Sequence, residues 1–158
     1  MAAEVSGEGV FFDTSVLVAA TVDLGASSEP ANTILAAVLD GRVARPQTAW
    51  HCCLELYSVL TRLPPELRVR PADALRVVRE NVVARFEIHG LSEGERLPFL
   101  ERAASDRIAG GRVYDAHIAE VALAAGAVVV ITDNTRHFQG LRRTDVRVLT
   151  TAEFAAEI

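Results

Sequence analysis

Ala127-Val128-Val129-Val130-Ile131 is an unbroken apolar run between Gly126 and the polar turn Thr132-Asp133-Asn134. A strand with no polar face must be covered on both sides, and that is the condition of a central parallel strand packed between helices. The residues before it, Ala116 to Ala125, read as a helix that Gly126 closes. Near the start of the chain the same grammar recurs around an acid. Gly9-Val10-Phe11-Phe12 precedes Asp13, and Thr14 and Ser15 lead into an apolar helix start that reaches Thr21.

The remaining segments alternate in the same way. Small residues over Gly25 to Pro30 break the chain before a helix expected over Glu29 to Leu39, with Pro30 in its first turn and Gly41 as its stop. Val43-Ala44-Arg45-Pro46 is a short strand candidate that the proline ends. A helix over Thr48 to Arg62 is followed by the breaker Pro64-Pro65, and a further helix runs from Arg70-Pro71-Ala72-Asp73 to about Ala84. Phe86-Glu87-Ile88 reads as a strand, and Ser92 with Glu95 forms a capping box for a helix running toward Ile108. Gly110-Gly111 is a hinge leading to Asp115 at the start of the next helix. Arg147-Val148-Leu149 and a short helix from Thr151 end the chain. Strands alternating with helices predict an α/β fold, with a mainly parallel central sheet flanked by helices. At 158 residues it is expected as a single domain over 1–158, with residues 1–8 as a flexible tail.

Composition narrows the chemistry. All 16 basic residues are arginine, so every mechanism that needs a lysine amine is excluded. The net charge of −5 rules out general attraction to nucleic acid, although it does not exclude an enzyme acting on one. Cys52 and Cys53 are adjacent in a helical pattern where a bridge would be strained, so they are expected as reduced thiols. With no other cysteine there is no zinc or disulfide framework, and a metal site has to be built from carboxylates. The polar start, with Glu4 and Glu8, has no signal-peptide pattern, and no apolar run is long enough to span a bilayer. A cytoplasmic, non-membrane protein is the expectation.

Asp13 and Asp133 follow apolar strands, and Asp115 opens a helix beside one. In a doubly wound sheet such positions share the edge at the carboxyl ends of the strands, where ligands bind. Within the segment Thr48 to Arg62, His51, Glu55, Ser58 and Arg62 fall at i, i+4, i+7 and i+11, a narrow polar stripe on an otherwise apolar helix. Glu55 joins the acids if that stripe faces the same edge. Each feature has a plainer explanation: Asp13 as a helix cap, Asp115 as a favourable first-turn acid, the stripe as a solvent face. Three or four acids brought together, however, repel one another unless a cation neutralises them. Mg²⁺ or Mn²⁺ suits oxygen ligands, and such an ion supports phosphodiester hydrolysis.

The ordered set FFDTSVLVAA, ELYSVLTRLP, YDAHIAEVALAAGA and VVVITDNTRHF resembles the PIN-domain ribonucleases, and among them the VapC-like toxins of bacterial toxin–antitoxin pairs. The resemblance covers nearly the whole chain. It implies a metal-dependent endoribonuclease acting through a metal-bound water, with Asp13, Glu55 and Asp115 as catalytic and metal-binding acids. Ser15 matches a hydroxyl that supports the first acid, and Thr132 a hydroxyl beside the fourth position. That position departs from the family pattern: Asn134 occupies the motif place and Asp133 stands one residue earlier, so Asp133 is kept as the fourth acid and Asn134 as a polar contact. Arg62 and Arg112 are candidate phosphate contacts. The implied partners are an RNA substrate, a cognate antitoxin and a second copy of the chain as a homodimer.

Three other classes share part of this pattern. A haloacid-dehalogenase-type phosphatase needs a second aspartate two residues after the first, where this chain has Ser15, and it needs a lysine. A receiver domain also relies on a lysine. A non-catalytic PIN-like RNA-binding or scaffolding domain draws support from the Asp133/Asn134 ambiguity and is opposed by the three intact acids.

Overall fold

The computed structural model describes residues 8–23 and 25–158, without the side chains of Arg142 and Arg143. The tail expected over 1–8 falls outside these residues except for Glu8. Five strands form one wholly parallel sheet in the order β3-β2-β1-β4-β5. They are β1 Gly9–Phe12, β2 Pro46–Ala49, β3 Glu87–His89, β4 Ala127–Ile131 and β5 Arg147–Leu149. Helices α1 Thr14–Thr21, α2 Glu29–Leu39, α3 Trp50–Arg62, α4 Pro71–Val77, α5 Glu93–Ser105, α6 Arg112–Ala124 and α7 Thr151–Glu157 surround it.

Strand β1 lies in the middle because GVFF can be buried on both faces. Its four residues are all inaccessible, as are most of β4. The order of the sheet reverses direction on either side of β1, since the chain leaves it for β2 and later returns to its other flank as β4. A crevice opens at such a switch point, beyond the carboxyl ends of the strands. Residues Asp13, Thr132 and Asn134 stand at that edge.

Several boundaries differ from the sequence reading. Strand β2 begins at Pro46 rather than ending there. A proline is tolerated as the first residue of a strand, and the ladder uses the carbonyl before it: Val10 N–H donates to Arg45 O at 3.0 Å. Its polar residues, Gln47 and Thr48, break the apolar pattern of a buried strand, yet both are buried and bonded. Thr48 Oγ1 donates to Phe12 O at 2.8 Å, and Gln47 Nε2 donates to Glu87 Oε2 and Ala125 O, each at 3.1 Å. Consequently α3 starts at Trp50, not Thr48. Helix α5 stops at Ser105, short of Ile108, where Arg107 takes a left-handed φ of 56° and its amide turns back to Ala104 O. Helix α6 begins at Arg112, so the glycine hinge is shorter than expected and Asp115 sits inside the first turn. The helix opened by Pro71 continues from α4 through a π-helical turn, Val78–Val83, to end one residue before Ala84. Strand β3 is displaced by one residue from the expected 86–88. The Ser92/Glu95 capping box is present, with Ser92 N–H donating to Glu95 Oε2 at 2.8 Å.

Both cysteines are free and buried. Burial, with the nearby Asp13 carboxylate adding to it, pushes the Cys52 thiol up to about 12, so it stays protonated and unreactive. Among the described residues no helix is long and apolar enough to cross a membrane.

Candidate active site

Asp13 is fixed by the sheet itself. Its N–H donates to Ile131 O at 3.1 Å, extending the β1–β4 ladder past the end of β1, and Thr132 N–H donates to Leu149 O at 2.9 Å, extending β4–β5 in the same way. Asp13 and Thr132 therefore stand side by side on neighbouring strands. The Thr132 hydroxyl donates to Asp13 Oδ2 at 2.7 Å, and Ser15 Oγ donates to the same oxygen at 3.1 Å. Asp13 occupies the N-cap position of α1, yet its carboxylate does not cap that helix through the N–H groups of Ser15 or Val16. Its backbone carbonyl begins the helix instead, accepting from Val16 N at 3.1 Å. Thr14 and Ser15 do not cap α1 either, because their hydroxyls reach across to Glu55 and Asp13.

Asp13 is only 4% exposed. Burial raises its pKa above the ordinary 3.8, against the pull of the Thr132 hydroxyl, the Thr14 N–H and the Ser15 hydroxyl, while the charge of Glu55 adds to the rise. The acid is thus held in a place that disfavours its charge.

A cleft of roughly 630 Å³ opens above it. Glu55, Ser58 and Arg62 from α3 form one wall, Asp115 from α6 another, and Asn134 and His137 from the segment after β4 complete the rim. Three members of the polar stripe on α3 face this cleft, and the fourth does not. His51 stacks on Tyr114 of α6, with ring centroids 5.3 Å apart and planes 14° from parallel, and its Nε2 lies 3.3 Å from Glu55 Oε1. Glu55 Oε2 accepts a short hydrogen bond from Thr14 Oγ1. Asp115 Oδ2 lies 3.0 Å from His137 Nδ1. The site thus gathers Asp13, Glu55 and Asp115 from three elements distant in sequence.

Asp133 is not among the lining residues. Its Oδ1 accepts from Thr151 N at 3.0 Å, at the start of α7, and its own N–H donates to Ser15 Oγ at 3.2 Å. The turn after β4 sends residue 133 away from the cleft and residue 134 into it, with Asn134 N–H donating to Thr132 Oγ1 at 3.0 Å. Arg112 lies beside the cleft rather than in it, lining an adjoining recess. Thr14 and His137 were not singled out as site residues from the sequence. The signal for His137 was its place three residues after Asn134, on the same helical turn.

The donor set, three carboxylates with a carboxamide and hydroxyls, suits a hard divalent cation. Among the described residues no three of His, Cys, Asp or Glu already stand close enough to grip an ion. Each acid is engaged by a protein donor instead: Asp13 by Thr132 and Ser15, Glu55 by Thr14, Asp115 by His137.

The PIN domain model matches residues 10–145. The chain belongs to the PIN domain family. It is 44% identical over 69 residues to Ribonuclease VapC27 of Mycobacterium tuberculosis (strain ATCC 25618 / H37Rv), a match covering 44% of this chain and 48% of that protein, or about half its length. Among solved structures, it resembles FitAB bound to an IR36 DNA fragment, with a TM-score of 0.61 at 15% identity, covering 90% of this chain and 95% of that one. VapBC-1 from nontypeable Haemophilus influenzae gives 0.59 at 18% identity, with coverage of 90% and 98%. VapBC2 from Rickettsia felis, bound to a DNA fragment from their promoter, gives 0.56 at 16%, with coverage again of 90% and 98%. At those identities the structural likeness establishes the PIN fold.

Proposed function

We propose that this chain is a metal-dependent endoribonuclease that hydrolyses RNA phosphodiester bonds and serves as the toxin of a toxin–antitoxin pair. The observation that carries this reading is the convergence of Asp13, Glu55 and Asp115 on one cleft, with the innermost acid buried at a cost to its ionised form. Mg²⁺ or Mn²⁺ would be held by these three acids. Such an ion, when bound, activates water and offsets charge on the phosphoryl group. Asp13 anchors the site, fixed by Thr132 and Ser15. Thr14 orients Glu55, and Arg62 lines the cleft where it can meet the backbone of the substrate. We assign the fourth position to Asn134, a neutral oxygen donor, because Asp133 is committed to α7.

A non-catalytic RNA-binding or scaffolding domain would have no use for a buried, desolvated Asp13, and the nuclease reading is preferred for that reason. The partial match to a ribonuclease supports the activity, and the likeness to VapBC and FitAB assemblies supports an antitoxin partner. Trp50 and Leu54 on α3 are 53% and 52% exposed, an apolar row that suits a protein partner such as a second copy. Free thiols accord with a cytoplasmic location.

The test is RNA cleavage with Mg²⁺ or Mn²⁺, with EDTA, and with Asp13→Asn. Cleavage that needs the cation and is lost in the variant supports the proposal. Cleavage persisting in EDTA, or undiminished in Asp13→Asn, overturns it.

A further inference from the structure

Beside the acid cleft lies a smaller recess of about 110 Å³, lined by Ile108, Arg112, Asp115, Ala116, Arg136 and His137. It shares Asp115 and His137 with the cleft, so the two are continuous. Its arginines come from different elements: Arg112 is the first residue of α6, and Arg136 belongs to the 3₁₀ segment Thr135–Arg143 after β4. Among the described residues neither guanidinium makes an ion pair or hydrogen bond, a condition shared with Arg62, Arg79, Arg85 and Arg107; what sets Arg112 and Arg136 apart is that both line one recess beside the acids. The one acid in the recess, Asp115, makes no ion pair with either arginine; its Oδ2 lies 3.0 Å from His137 Nδ1.

We infer that this recess is a phosphate-binding subsite, in which Arg112 and Arg136 hold a backbone phosphate of the RNA strand flanking the bond to be cut. The inference rests on the ribonuclease reading. An acidic cleft in a chain of net charge −5 repels a polyanion, so the strand needs local cations to approach it. Arg62 supplies one on the α3 wall, and the recess supplies two beyond Asp115, so a strand running from Arg62 to the recess crosses the acids. Arginine suits the task because its planar fork meets phosphate oxygens in pairs. The apolar Ile108 and Ala116 line the same recess, where lower polarity strengthens the attraction.

The test is the salt dependence of binding to a short fluorescein-labelled single-stranded RNA, followed by anisotropy in EDTA over a range of KCl concentrations. The double variant Arg112→Gln/Arg136→Gln reduces the steepness of the fall of log K with log[KCl] by about 0.7, the value for one phosphate contact on a single strand. Arg76→Gln, whose arginine pairs with Asp73 on α4, keeps the wild-type slope. An unchanged slope in the double variant, with its helical circular dichroism intact, overturns the subsite. In the cleavage assay the double variant raises KM with little change in kcat, as expected of a contact remote from the reacting atoms. If the steepness falls but no RNA is cut with Mg²⁺ or Mn²⁺, the subsite stands as an RNA contact and the nuclease reading fails. If RNA is cut and the slope does not move, the subsite alone fails.

Discussion

Replacing Asp13 by Asn should stabilise the metal-free protein while removing its activity. Two effects oppose each other. Asn keeps an oxygen that can accept from Thr132 Oγ1 and Ser15 Oγ, now 2.7 and 3.1 Å from Asp13 Oδ2. Bonds to a charged acceptor contribute about 1 kcal/mol more each than neutral ones, so roughly 2 kcal/mol is lost. Against this, the variant no longer desolvates a carboxylate, a penalty of several kcal/mol for a buried ion. The pKa of Asp13 is raised with burial as the first cause, so the desolvation penalty exceeds the help from the hydrogen bonds. The net gain at neutral pH is on the order of 1 kcal/mol, or roughly 2–4 °C in Tm for a chain of this size. The pH dependence fixes the cause. Between the ordinary 3.8 and the raised value, the folded protein binds more protons than the unfolded one. Stability from this group is therefore fully present below 3.8 and is lost as the pH rises through the folded value. Thermal melts in EDTA should show the variant ahead of wild type at pH 7 and the advantage gone near pH 3. An Asn variant less stable than wild type at pH 7 would refute the reasoning.

Two further outcomes follow from the geometry. A Cβ at Gly9 would meet Gln47 Oε1, Cδ and Nε2 at 2.3–2.7 Å, and Gln47 is held by two hydrogen bonds. Gly9→Ala should therefore cost about 2–4 kcal/mol in denaturant unfolding, from overpacking and lost bonds; a change within about 0.5 kcal/mol would contradict it. Asn134→Ala should reduce RNA cleavage more than Asp133→Ala, while Asp133→Ala should lose about 1 kcal/mol of stability through the freed Thr151 N–H. Comparison of the two variants by cleavage rate and melting checks both, and the reverse pattern would return Asp133 to the fourth position.

The parts of the fold that were legible from sequence are those where local pattern and burial agree. The apolar run of β4, Pro30 at the start of α2 and the Ser92/Glu95 box all mark their elements through one-dimensional chemistry. Strand β2 was misplaced because Gln47 and Thr48 are buried polar residues whose partners, Phe12 O, Glu87 and Ala125 O, are remote in sequence. In the candidate site, the stripe on α3 pointed Glu55, Ser58 and Arg62 toward one face. Its fourth member, His51, stays beside Glu55 but outside the cleft lining, stacked on Tyr114, which no spacing rule places beside α3. The choice between Asp133 and Asn134 depends on one turn of backbone after β4, and adjacent polar residues in a turn carry no periodicity from which to read their directions. The basic recess was legible only in half: Arg112 stood out, but its companion Arg136 is brought beside it by the packing of the 3₁₀ segment on α6.

The most direct test of the central claim is anomalous diffraction from crystals of the protein soaked with Mn²⁺. A manganese peak in the cleft, ligated by Asp13 with Glu55 or Asp115, is the expected result. Crystals that bind no manganese there, or bind it only away from Asp13, would contradict the account.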